Sequence, residues 1–144
     1  MSKIQIAEEA TDKLVAAYEK LIPQLSQSSR PPTKQELERM INSDITTVLI
    51  ATNKDDQIVG TMTLVLFRIP TGLRAWIEDV IVDSESQGKG IGKKLNQKAL
   101  TIAEKAGAKT VELTSRPSRE AANRLYQNLG FVKRETNIYR FTFD

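Results

Sequence analysis

Gln87-Gly88-Lys89-Gly90-Ile91-Gly92 lies between an apolar run ending in Ile81-Val82-Asp83 and a helical pattern that starts near Ile91. A strand, a glycine-rich turn and a helix in that order make an anion site. Three glycines allow close backbone approach and φ > 0, and the free N–H groups of the helix's first turn point at whatever sits there. Lys89 and Lys93 add positive charge. The plain alternative is a βα turn whose glycines only permit a tight corner. Two familiar phosphate motifs do not fit. No Gly-x-x-x-x-Gly-Lys-Ser/Thr occurs, and in the Gly-x-Gly-x-x-Gly register Lys93 or Leu95 stands where the third glycine belongs.

The spacing that does fit is Gln/Arg-x-x-Gly-x-Gly/Ala, met by Gln87, Gly90 and Gly92. In this it resembles the acyl-CoA pyrophosphate loop of the GNAT acyltransferase superfamily. The preceding Trp76-Ile77-Glu78-Asp79-Val80-Ile81-Val82-Asp83 resembles that family's central strand. Ala121-Ala122-Asn123-Arg124-Leu125-Tyr126-Gln127-Asn128-Leu129-Gly130-Phe131 resembles its C-terminal helix and the strand that follows. The resemblance runs from about Thr46 to the C-terminus and is weaker in the first third.

At 144 residues the chain has the length of one domain, residues 1–144, able to bury roughly two thirds of its unfolded surface. Hydrophobic residues at 40% and charged residues at 27% are ordinary globular composition and argue against disorder. The longest apolar stretches, near 61–67 and 76–82, have strand length, so no membrane span is expected, and Met1-Ser2-Lys3-Ile4 lacks the apolar core of a signal peptide. A cytoplasmic location is the default expectation. Absence of cysteine removes disulfides, thiol nucleophiles and thiolate metal sites, and absence of histidine removes the usual general base and metal ligand. No metal is therefore expected. A formal charge of +3 suits an anionic cosubstrate without the dense basic patches of a dedicated nucleic-acid binder.

The elements alternate without repeats. Ile4 and Ile6 alternate as a short strand, and residues 10–22 place Leu14, Val15, Tyr18, Leu21 and Ile22 on one helical face until Pro23 ends it. A polar connection, 24–32, leads to a helix that Thr33 caps with Glu36 at capping-box spacing. Strands are expected at 46–52 and 58–69, joined by the polar hairpin turn 53–57, then through Trp76 to the glycine loop. A helix from Ile91 ends at Ala106-Gly107, a strand covers 110–114, a helix runs from 118 or 119 to 129, and closing strands lie at 131–132 and 138–143. This is an α/β (α+β) fold with a mixed sheet. The order matches the GNAT fold, which implies a central, mostly antiparallel twisted sheet flanked by helices, with a splayed strand pair that admits acyl-CoA.

The resemblance implies transfer of an acetyl group from acetyl-CoA to a primary amine by direct attack in a ternary complex. It assigns the pyrophosphate to the loop amides of Gln87, Gly88, Lys89, Gly90, Ile91, Gly92 and Lys93, aided by the positive end of the following helix. It assigns the pantetheine arm to the backbone of Ile81 and Val82, paired like an extra strand, and the oxyanion to a backbone N–H near Val80 at a bulge. Lys89 and Lys94 could equally be solvated surface lysines. With no histidine, deprotonation of the amine falls to a carboxylate or to solvent. Glu78 and Asp79 are the candidates, sent to opposite sheet faces by strand alternation. The Glu-Asp-Val sequence of similar amino-sugar phosphate acetyltransferases favours Glu78, with a structural hydrogen bond as the alternative. Asp83 reads as a turn or cap residue.

Tyr126, four residues before Gly130, matches the family's tyrosine that protonates the departing thiolate; extending the apolar stripe of Ala122, Leu125 and Leu129 is its other reading. Many family members carry Asn seven residues before this tyrosine, contacting the cofactor arm. Here Arg119 stands there and an Asn appears at Asn123, leaving cofactor binding, an anionic acceptor or helix capping open for Arg119. The expected partners are acetyl-CoA and an amine, with no nucleic acid and no membrane, and a homodimer is compatible. An amino-sugar phosphate acetyltransferase, a protein-lysine acetyltransferase and a non-catalytic acyl-CoA sensor are the alternatives.

Overall fold

The computed structural model describes residues 2–144 and divides into two compact units, one ending at Leu113 and the other spanning Thr114–Asp144. The first holds β1 (Lys3–Ile6), α1 (Asp12–Leu25), α2 (Lys34–Ile41), β2 (Thr46–Thr52), β3 (Ile58–Ile69), β4 (Gly72–Val82), α3 (Ile91–Ala106) and β5 (Thr110–Glu112), with a short 3₁₀ turn at Ser84–Ser86. The strands form one sheet in the order β1-β2-β3-β4-β5, antiparallel except for the last pair, which is parallel. Short turns join β2 to β3 and β3 to β4, whereas a parallel neighbour needs a crossover, which α3 supplies. In the β2–β3 turn the Asn53 carboxamide oxygen accepts from the N–H groups of Asp55 and Gln57 at 3.0 and 2.9 Å.

Register assigns the faces. Ile50, Thr61 and Ile81 lie in one row across β2, β3 and β4. Ile50 and Ile81 belong to the core cluster that also contains Leu14, Tyr18, Leu21 and Ile22 of α1 and Leu37 of α2, so this row faces α1 and α2. Ala51, Gly60 and Val82 form the next row, on the other face. A Cβ on Gly60 would lie 3.2 Å from Ile91 Cγ2 and 3.3 Å from Leu95 Cδ1, which shows how closely α3 approaches that face.

Both N-terminal helices start at threonine caps. Thr11 Oγ1 accepts from Leu14 N–H at 3.1 Å, and Thr33 with Glu36 closes the expected capping box. The Arg30 guanidinium also forks onto Glu36 at 2.8 and 3.0 Å; with the Thr33 N–H it draws the Glu36 carboxyl down to about 2. This pins one end of the polar connection. Helix α1 does not stop at Pro23 but runs through it to Leu25. A proline this near a C-terminus costs one bond to the carbonyl four residues back, that of exposed Glu19, which water can satisfy, and Ser26 N–H still reaches Ile22 O at 2.9 Å.

The second unit contains α4 (Glu120–Asn128). The strands expected at 131–132 and 138–143 are not formed: residues 131–144 make no ladder. An alternating pattern states which face a strand would bury, but a strand exists only where a second backbone pairs with it.

Candidate active site

Strand β4 is regular in its first half and irregular in its second. From Gly72 to Trp76 it pairs with β3 on one side, and Arg74, Ala75 and Trp76 pair with Thr110, Val111 and Glu112 of β5 on the other. Trp76 pairs with Glu112, the last residue of β5, so past Trp76 this edge of β4 has no paired strand. The register to β3 also slips: Thr61 faces Ile81 and Thr63 faces Glu78, leaving Asp79 and Val80 opposite Met62 alone. This is a β-bulge, with Asp79 in the left-handed region at φ 49. The expected bulge near Val80 is therefore present. The extra residue resets side-chain parity across the bulge, so Glu78 and Ile81, three residues apart, lie in rows of the same face, opposite Thr63 and Thr61.

Glu78 shares its row with Thr63 and Val48, and Val48 lies in the core cluster of α1 and α2. The Trp76 indole, two residues back and so on the same face, donates to Glu78 Oε2 at 2.7 Å. Desolvation raises the Asp79 carboxyl above its ordinary value, and the neighbouring Glu78 charge raises it further. Two buried hydroxyls lie near the bulge. Neither Tyr18 Oη nor Thr61 Oγ1 makes a hydrogen bond of ordinary geometry. Burial pushes the Tyr18 phenol up to about 12; the nearby Thr61 hydroxyl opposes this and the Asp79 charge reinforces it.

After Val82 the chain passes through Asp83, a turn residue as expected, since Ser86 N–H returns to its carbonyl at 2.8 Å. Asp83 N–H donates to Val59 O at 2.8 Å, so the trans peptide directs Val82 O away from β3, where Gln87 Nε2 reaches it at 3.3 Å. Gly88 and Gly90 have φ 78 and 79. A Cβ at either would meet nothing within 4 Å, so these glycines are required by backbone conformation and not by crowding. Gly90 is the N-cap of α3, without a side-chain cap, and the first turn contains no acidic residue. The helix ladder opens with Lys94 N–H to Gly90 O at 3.1 Å, so the amides of Ile91, Gly92 and Lys93 have no partner within the helix. Lys89 and Lys93 are exposed beside them. Lys94 instead contacts Ser2 O and Oγ at 3.4 and 3.3 Å.

Ile91 can offer only its backbone, because its side chain is buried. Sequence reasoning missed Asn96, fully buried, whose Nδ2 holds Gly92 O at 2.8 Å. The signal was a lone polar residue beside Leu95 on an otherwise apolar helical stripe.

In the second unit, Tyr126 packs edge-on against Phe131 at 5.7 Å between centroids, and desolvation raises its phenol while Arg119 opposes. Arg119 is the N-cap of α4 but makes no capping bond with its side chain. Asn123 Nδ2 donates to Arg116 O at 2.9 Å and Arg119 O at 2.8 Å, so its donors are spent on the turn leading into α4 and only its Oδ1 is left for a ligand. Among the described residues no cluster of three or more Asp, Glu, His or Cys could hold a metal, and no helix is long and apolar enough to cross a membrane.

The model of the acetyltransferase (GNAT) family matches residues 11–131, and the chain belongs to that family of acyltransferase enzymes. It is 35% identical over 71 residues to N-alpha-acetyltransferase 30 of Schizosaccharomyces pombe, covering 49% of this chain and 47% of that protein. It is 33% identical over 87 residues to mycothiol acetyltransferase of Renibacterium salmoninarum, covering 59% of this chain and 26% of that protein. The chain thus spans about half the length of the first relative and about a quarter of the second. Among solved structures it resembles an aminoglycoside acetyltransferase from an uncultured soil metagenomic sample, with a TM-score of 0.85 at 20% identity over 99% of this chain and 97% of that one. It also resembles glucosamine-6-phosphate N-acetyltransferase from Arabidopsis thaliana, with a TM-score of 0.82 at 22% identity over 100% and 99%. At these identities the structural likeness shows the fold, a mixed sheet with flanking helices. Acetyl-CoA is the acyl donor that acetyltransferases of this family use.

Proposed function

We propose that the chain, acting as one domain over residues 1–144, transfers an acetyl group from acetyl-CoA to a primary amine in a ternary complex. The observation that carries this reading is the sequence of irregularities along one path. β4 loses its β5 neighbour after Trp76, bulges at Asp79 and leads through two left-handed glycines into the uncapped start of α3. Such a path suits a long ligand with an anionic end: extended backbone on one side of β4 for an amide-bearing arm, and free amides for a pyrophosphate. The residues fit acetyl-CoA, which supplies the acetyl group as an activated thioester.

In this reading the amides of Gln87 to Lys93 bind the pyrophosphate, with charge from Lys89 and Lys93, and the backbone of Ile81 and Val82 aligns the arm. The Val80 N–H donates to the oxygen that becomes negative as the amine attacks. Glu78, oriented by Trp76, takes the proton that the ammonium must lose; as the carbon–sulfur bond breaks Tyr126 donates a proton to the leaving sulfur, and the second proton shed by the nitrogen restores the phenol through solvent. Arg119 and the Asn123 carboxamide oxygen, in the second unit, are the further groups assigned to the cofactor. The acceptor is read by α1, α2 and the 24–32 connection, and the reaction belongs in the cytoplasm.

A second reading, an amino-sugar phosphate as acceptor, is favoured by Ile77-Glu78-Asp79-Val80 and by the cationic Arg116, Arg119 and Arg124. The test is release of CoA from acetyl-CoA by the purified chain across free amino acids, peptides with free N-termini or lysines, polyamines and amino-sugar phosphates. Turnover with one class identifies the acceptor. Tight acetyl-CoA binding without release on any of them would make the domain a sensor instead.

A further inference from the structure

The glycine loop has little packing of its own. Gly88 and Gly90 bring no side chain, Gln87, Gly88, Lys89 and Gly90 are all exposed, and a Cβ at either glycine would meet nothing. Its position must therefore be inherited from its two ends. The later end is seated by Ile91 and Leu95 in the core and by Asn96 on Gly92 O. The earlier end is held by β3, through Asp83 N–H on Val59 O at 2.8 Å, and from a further element.

Lys20 and Gln24, one helical turn apart on α1, reach across to the residues that follow β4. Lys20 Nζ lies 3.0 Å from Asp83 Oδ2. Gln24 Nε2 donates to Asp83 Oδ1 at 3.2 Å, and Gln24 Oε1 accepts the Ser84 N–H at 2.9 Å. Gln24 Nε2 also touches Lys20 O at 3.3 Å, which ties the carboxamide to its own helix. The Asp83 side chain is 6% exposed against 61% for Lys20. A carboxylate this buried is tolerated only because its oxygens are bonded. Burial alone would raise its pKa, yet the bonds from Lys20 and Gln24, with the Lys20 charge, hold it below the ordinary carboxylate value.

We propose that Lys20 and Gln24 are positioning residues for the pyrophosphate loop, acting through Asp83 and Ser84. The proposal rests on the reading that this loop takes the pyrophosphate of acetyl-CoA. If α1 sets the point from which the loop departs, loosening the contact displaces the amides from the phosphate oxygens and leaves the thioester end of the site untouched. Misplacement on the order of an ångström is enough to weaken such contacts severely.

The test uses the full chain with Gln24→Ala, Lys20→Met and Asp83→Asn. Calorimetry gives the Kd of acetyl-CoA, and an NMR shift titration gives that of S-acetylpantetheine, which has the same arm and thioester but no pyrophosphate. Gln24→Ala, which loses bonds to both Asp83 and Ser84, is expected to weaken acetyl-CoA roughly tenfold and S-acetylpantetheine less than about twofold. Lys20→Met and Asp83→Asn follow in the same direction with smaller changes. Unchanged acetyl-CoA affinity in folded Gln24→Ala overturns the proposal, as does an equal loss for both ligands, which marks a general structural role. Both Lys20 and Gln24 are exposed, so their variants keep the test open if Asp83→Asn fails to fold. Failure of the unmodified chain to bind acetyl-CoA would instead overturn the reading on which the proposal stands.

Discussion

The two halves of β4 lie in the same strand and serve different ends. From Gly72 to Trp76 the backbone is paired with β3, from Arg74 to Trp76 also with β5, and Ala75 is 1% exposed. From Ile77 to Val82 pairing to β5 has stopped, a bulge breaks the register to β3, and an acidic residue sits at positive φ. Backbone groups satisfied by a neighbouring strand cannot also hold a ligand. The regular half therefore carries the fold, and the irregular half, with the loop it feeds, is where a ligand's hydrogen bonds can be made.

The largest expected effect is at the residue proposed as general acid. Tyr126→Phe should lower kcat by roughly 10²–10⁴ with acetyl-CoA affinity nearly unchanged, measured by single-turnover acetyl transfer and calorimetry. An unchanged rate where chemistry is limiting would return Tyr126 to packing against Phe131.

Next is Gly90→Asp, which places a carboxylate where the proposed pyrophosphate binds and forces a side chain to φ 79. Acetyl-CoA affinity should fall by about 100-fold or more. Wild-type affinity in the folded variant would detach the loop from the cofactor.

Glu78→Gln keeps the acceptor for the Trp76 indole but removes the charge. It should lower kcat/KM by roughly 10²-fold once the acceptor is known. Full activity in the folded variant would assign the proton to water or to the substrate.

The regular half should respond in the opposite currency. Ala75→Leu overfills a buried site and should cost about 1–3 kcal/mol of stability in urea unfolding, with acetyl-CoA affinity per folded molecule unaltered. A selective loss of affinity would erase the division between the halves.

The smallest effect is expected at Asp79. Its folded-state pKa is raised above the ordinary 3.8, so its charged form opposes folding. That cost is absent below the unfolded value and develops as pH rises through the folded one. Asp79→Asn removes the charge in a residue type that tolerates positive φ, and Tm should rise by about 1–2 °C at neutral pH, with no gain near pH 3. A lower Tm at neutral pH would show that the carboxylate makes a contact that favours the fold.

Much of this molecule was legible along the chain. The spacing of Gln87, Gly90 and Gly92 announced a strand, a glycine turn and a helix, and Thr33 with Glu36 announced the start of α2, because each signal lies within one turn of backbone. Strands β2 and β3 could be bounded from turn residues and apolar runs for the same reason. Pro23 misled, since a proline's effect depends on whether the carbonyl it leaves unpaired is wet. The alternating residues of 138–143 misled as well, since alternation supplies a face and not a partner.

What the sequence by itself determined is therefore local: helix starts, turns, left-handed glycines and the family that their spacing marks. The tertiary structure alone decided the rest. The bulge at Asp79 exists only against the register of Met62 on β3, and the opening of β4 exists only because β5 ends its pairing at Glu112. Asp83 is buried and ionised only because Lys20 and Gln24, some sixty residues earlier, arrive beside it. Hydrogen bonds and desolvation act over a few ångströms of space, and residues far apart in the chain come within that range only when the sheet and its helices have closed.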